Sequence, residues 1–234
     1  MPFSIALSER AKILLAHRVE APANTGLDPA PANVRLAVEA ALDRGETHYT
    51  DRPGVLLLRE KIAERIRERF GIVIDPKRDV IVTCGITEAR FLATQQLLQP
   101  GDTVAAPTSS EPIFGAAVLR GAALTESVPA DVRMVYLQSS TPEASLRSHL
   151  ALTPSSAIVL FEIDERASRF HPGQVEGFAH RTITIGGLGE ESWRIGYLAS
   201  PGGASDSLRD FKQNLTICST NLSQWATLAA FEGL

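Results

Sequence analysis

Lysine is scarce in this chain of 234 residues: Lys12, Lys61, Lys77 and Lys212 are the only four. Each falls in a stretch that reads as a helix or a surface turn. Cysteine is scarcer still, and Cys84 and Cys218 lie far apart with no metal-ligand spacing. That excludes a cysteine-built zinc site or a disulfide framework and leaves two reduced core thiols as the expectation; no metal ligands are assigned. Runs of Lys and Arg are missing as well, and a net charge of -4 with a pI near 5.8 argues against a nucleic-acid surface. In KIAERIRERF the arginines alternate with glutamates at helical spacing, which reads as a solvated helix face. No apolar run approaches the roughly 18 residues of a membrane span, and the start MPFSIALSERAK lacks a basic-then-apolar layout. A cytoplasmic protein without a membrane partner is expected.

What is present is a hydrophobic fraction of 44% with 21% charged residues, enough for a sizeable core in one large domain. A helix is read over Ser8 to Arg18, then a Pro- and Ala-rich connection. A second helix over Asn33 to Arg44 closes at Gly45. From there apolar β-branched runs alternate with helical stripes. Strands are read at Asp79 to Thr83, Val132 to Leu137, AIVLF, Thr182 to Ile185 and Ile195 to Ala199, with helices from Gly85 to Leu98, around Ile113 to Leu119 and from Asp206 to Ile217. Alternation of this kind predicts an α/β fold with a mostly parallel sheet. Strand, Gly85 turn and helix bring free N–H groups and the positive end of a helix dipole to one point, which suits a phosphate.

Several strings carry a resemblance to one family. HYTDRPGVLLLREKIAERIRERFGI, VTCGITEARFLA, LLQPGDTVAAP, EIDERASRF, WRIGYL and CSTNLSQWATLAAFEG follow in order, and the chain resembles the class I/II (fold type I) pyridoxal phosphate (PLP) aminotransferases from about Leu27 to Gly233. The resemblance implies a three-layer α/β/α large domain over 31–234, ending in the linker helix, preceded by an N-terminal helix and arm over 1–30. It also implies a C-terminal small domain bearing an arginine for the substrate carboxylate, which the sequence up to Leu234 does not contain.

Carried over residue by residue, the resemblance makes Ile86 and Thr87 the phosphate cup and Arg194 a further phosphate ligand. Tyr49 is the tyrosine that reaches a neighbouring subunit's cofactor, and Asp164 the carboxylate that keeps the pyridine nitrogen protonated. Other positions depart from the family. Glu111 stands where an aromatic stacks on the ring, and a carboxylate offers no π face. Thr141 replaces the asparagine, and Ala167 the tyrosine, that bond the phenolic oxygen. The lysine that would carry the cofactor as a Schiff base is replaced by Gly186, counting back from Arg194, or by Glu190, counting on from TITIGGL; neither side chain can form an imine.

The expectation is therefore an aminotransferase-like protein with a partly kept site. It would bind PLP without a covalent bond if at all, would not itself be an active transaminase, and would work as a homodimer or with a partner chain. Two alternatives stay open: a PLP enzyme using a non-lysine base such as Glu190, and a structural or regulatory dimer with no cofactor. A truncated copy without function is a fourth reading.

Overall fold

The computed structural model describes residues 8–17, 29–164, 169–188, 193–200 and 204–232. Eight α-helices and seven strands alternate through them: α1 Glu9–Ala16, α2 Ala32–Asp43, α3 Leu56–Phe70, β1 Val80–Thr83, α4 Gly85–Leu97, β2 Thr103–Ala105, α5 Glu111–Arg120, β3 Ala123–Thr125, β4 Met134–Gln138, α6 Glu143–Leu152, β5 Ile158–Ile163, β6 Thr182–Gly187, β7 Gly196–Ala199, α7 Ala204–Thr216 and α8 Asn221–Glu232. The strands form one sheet in the order β1-β7-β6-β5-β4-β2-β3. Only β7 runs against its neighbours, pairing antiparallel with both β1 and β6. The carboxyl ends of the other six strands therefore share an edge with the amino end of β7. In α/β sheets that edge is where ligands bind.

Period-2 alternation divides the strand residues between the two faces. Val135 and Leu137 of β4 and Val159 and Phe161 of β5 pack with α3, α6 and α8 through Leu58, Ile62, Leu146 and Leu228. Met134 and Leu160 on the same strands, with Ile183 and Ile185 of β6, face α4, α5 and α7 through Ala89, Leu92, Ile113 and Leu208. The result is the mostly parallel three-layer arrangement that the alternation predicts. Among the described residues no helix is long and apolar enough to cross a membrane.

One sequence expectation needs correction. Gly186, read as the first residue of a turn, lies within β6, because the strand continues to Gly187 and pairs with β7 through Gly186↔Tyr197 and Gly187↔Gly196. Ahead of the KIAERIRERF string, α3 also carries a buried arginine. Arg59 is 4% exposed, its guanidinium donating to the carbonyls of Gly54, Pro76 and Lys77 at 3.0, 2.7 and 3.2 Å, and so it ties the helix to the turns flanking it. Lys212 lies on helix α7, as its stretch reads, and is fully buried there.

Beneath β6, His171 is 2% exposed and neutral by its bonds. Its Nδ1 accepts from the Gly173 N–H at 2.9 Å, so the proton sits on Nε2, 2.9 Å from Thr184 Oγ1. Burial pushes its pKa down from 6.5 to about 4. Protons then bind the unfolded chain more readily across that window. The stabilisation is complete above pH 6.5 and is lost as pH falls toward 4. Between pH 7 and pH 5 this one group removes about 2 kcal/mol. Urea unfolding of His171→Asn should show a shallower acid dependence than the wild type over that range, and an unchanged slope would assign the acid sensitivity elsewhere.

Candidate phosphate and cofactor site

The amino end of α4 anchors the site. Gly85, its first residue, has φ +72, a left-handed turn that lets the chain leave β1 and enter the helix within two residues. The first three N–H groups of a helix have no acceptor inside it. Here they belong to Gly85, Ile86 and Thr87, the last exposed at the sheet edge. The start of β7 is pressed against this helix end. A Cβ on Gly196 would lie 2.7 Å from Gly85 C and 2.8 Å from Ile86 N, and one on Gly85 would lie 3.9 Å from the Arg194 carbonyl. Arg194 is exposed and holds φ +54, the left-handed region. The helix dipole, the first N–H groups of α4 and the backbone of Arg194 thus meet where the sequence reading expects the phosphate.

Carboxylates and hydroxyls of the remaining positions follow the neighbouring strand ends. Asp164 comes directly after β5, exposed, with its N–H donating to Ser139 Oγ at 2.7 Å and its carbonyl accepting from Arg69 Nη2 at 2.8 Å. Ser139 is 1% exposed and ties the end of β5 to the turn after β4 in which Thr141 sits, the Thr141 N–H bonding the Gln138 carbonyl at 3.0 Å. Sequence reasoning passed over Ser139, because a serine in a QSST turn carries no signal beyond the turn itself. Glu111 is the first residue of α5 and exposed; in the loop before it, Thr108 Oγ1 is buried with no partner among the described residues. Tyr49, 75% exposed on the α2–α3 connection, makes no hydrogen bond or ring contact among the described residues. Glu190 and Ala167 lie outside the described residues.

At Gly186 any side chain would have to displace the Tyr197 ring. A Cβ there would lie 2.6 Å from Tyr197 Cε1 and 2.7 Å from the Tyr197 hydroxyl oxygen, so the ring of the residue paired with Gly186 occupies that space. The four lysines are committed elsewhere. Lys12 pairs with Glu9 at 2.7 Å, Lys61 with Glu64 at 2.9 Å, and Lys77 is exposed in the turn before β1. Lys212 Nζ reaches from α7 to the first turn of α4, donating to Glu88 Oε1 and Oε2 at 3.0 and 3.2 Å and to Thr216 Oγ1 at 2.9 Å. Glu88 in turn accepts from the Cys84 N–H at 2.5 Å and from Thr216 Oγ1 at 2.6 Å, capping α4 from inside. The residues present fit a phosphate; at the lysine position that counts back from Arg194 they do not fit a covalent anchor.

Comparison with known proteins agrees with this fold. Residues 20–116 match the family described as aminotransferase class I and II. Over that stretch the chain resembles the class I and II aminotransferases. It is 29% identical to a probable aspartate/prephenate aminotransferase of Thermus aquaticus, over 97% of this chain and 69% of the relative. It is 27% identical to a probable aspartate aminotransferase of Methanocaldococcus jannaschii, over 87% of this chain and 64% of the relative. The chain thus spans about two thirds of the length of these aminotransferases. The crystal structure of an aromatic aminotransferase from Pyrococcus horikoshii superposes with a TM-score of 0.81 at 23% identity, covering 97% of this chain and 70% of that one, and shows the shared fold.

Proposed function

We propose that this aminotransferase-like chain holds pyridoxal phosphate without a covalent bond and does not itself carry out transamination. The observation that carries the reading is the placement of the four lysines: Lys12 and Lys61 pair with glutamates on α1 and α3, Lys77 is exposed in the turn before β1, and Lys212 is buried against Glu88. PLP, when bound, supplies an electron sink for a carbanion beside an amine. The residues of this chain would do the holding. The Gly85–Thr87 N–H groups and Arg194 would take the phosphate, and Asp164 would accept a hydrogen bond from the protonated ring nitrogen. Glu111 and Thr141 border the ring with weaker groups than the family's aromatic and asparagine.

The exposure of Tyr49 supports assembly with a second copy of this chain, in which that ring gains a partner. A cytoplasmic location accompanies this reading.

Arg194 provides the test. Its guanidinium is the strongest anion donor proposed at the cup, and a charge-assisted bond contributes on the order of 1.5–3 kcal/mol. Titration with PLP, followed by absorbance, should show Arg194→Ala weakening binding by about tenfold or more. Equal affinities for wild type and variant would contradict a phosphate site here.

A further inference from the structure

One layer below the candidate site lies a buried polar cluster outside the residues proposed to touch the cofactor. Arg90, in the second turn of α4, makes a two-bond fork with Glu162 of β5: Nε to Oε2 at 2.7 Å and Nη2 to Oε1 at 2.5 Å. Tyr136 of β4, wholly buried, donates its hydroxyl to the same Glu162 Oε2 at 2.6 Å. The Arg90 and Glu162 side chains are 15% and 12% exposed. Burial alone would lower the Arg90 pKa, and the Glu162 carboxylate more than reverses that, so the guanidinium stays charged.

We propose that Arg90, Glu162 and Tyr136 are positioning residues that fix the distance between the two ends of the cofactor site, the phosphate cup at the start of α4 and Asp164 at the end of β5. The proposal rests on the PLP-binding reading above. Arg90 stands five residues after Gly85, and Glu162 two residues before Asp164, so the fork joins the elements that carry the two ends. α4 lies over β1, β6 and β7, and the fork is its hydrogen-bonded reach across to β5 and, through Tyr136, to β4.

The rest of that contact is apolar. Ala89, Leu92 and Ala93 pack on Leu160, Ile183 and Ile185, and such packing resists separation more than sliding because it has no direction. A planar guanidinium held at both carboxylate oxygens fixes distance and angle together. A buried ion pair of this kind adds little stability over apolar residues of the same volume. What it adds here is register, and a ligand that must touch both ends gains from a span set in advance.

Loss of the fork should therefore weaken a two-ended ligand and spare a one-ended one. Arg90→Met is expected to raise the PLP dissociation constant about tenfold and to leave that of inorganic phosphate within about twofold. The double variant Arg90→Met/Glu162→Met leaves no unpaired buried charge, which guards against simple misfolding; it should keep its circular dichroism and show the same split between PLP and phosphate. In Arg90→Met/Arg194→Ala the two losses in PLP affinity should fall short of additive, since each removes the same two-point fit. A parallel fall for PLP and phosphate, full additivity, or no change in either ligand would each overturn the strut while leaving the PLP reading in place. A wild type that binds phosphate but no PLP would instead overturn both.

Discussion

Lys212→Ala is expected to lose about 3–5 kcal/mol of stability, the largest effect of any single charge removal at this site. The wild-type lysine is 1% exposed in its side chain and faces a Glu88 carboxylate that is 10% exposed. Taking away one partner leaves the other charged in a place water barely reaches. Glu88 cannot readily turn outward, because its Oε2 also holds the Cys84 N–H at the entry to α4. The loss should therefore reach the cup as well as the global fold. In Lys212→Met/Glu88→Gln the amide oxygen still accepts from Cys84 and no buried charge remains, so most of the stability should return. Urea unfolding of the single and double variants measures this. A loss below about 1 kcal/mol in Lys212→Ala would mean that the pair is solvated and the lysine free for other chemistry.

Gly196→Ala should cost about 3 kcal/mol and abolish anion binding together. The added methyl would meet Gly85 C at 2.7 Å, Gly186 O at 2.8 Å and Ile86 N at 2.8 Å, and all three are backbone atoms. None can rotate away as a side-chain tip would, so β7 or the start of α4 has to move. The neighbouring Gly187 gives an internal control. A Cβ there meets nothing within 4 Å, and Gly187→Ala should stay within about 0.5 kcal/mol of wild type. Equal effects of the two substitutions in thermal unfolding would contradict the close approach of β7 to the helix.

The layers were legible because their signals are periodic. The DVIVT and AIVLF runs, the Gly85 turn and the stripe around Ile113 each state one element, and their alternation states a parallel sheet. Less legible were residues whose role depends on partners distant in sequence. Lys212 and Glu88 are 124 positions apart, and Arg90 and Glu162 are 72 apart. Nothing local marks either pair as buried. On pattern alone Lys212 is only a residue of a helical stretch, and Glu162 draws no reading of its own. Gly186 misled for a related reason: a glycine pair after β-branched residues reads as a turn, whereas here it makes room for the Tyr197 ring across the strand pair. The strand, Gly85 turn and helix marked the phosphate end by themselves, whereas Thr141 and Asp164 took their roles only through resemblance.

Borohydride reduction of the PLP-saturated protein followed by intact and peptide mass spectrometry tests the central claim most directly. Binding without a covalent bond predicts a PLP absorbance that reduction does not attach to the chain, and an unmodified mass. A phosphopyridoxyl adduct on Lys12, Lys61, Lys77 or Lys212 would contradict it.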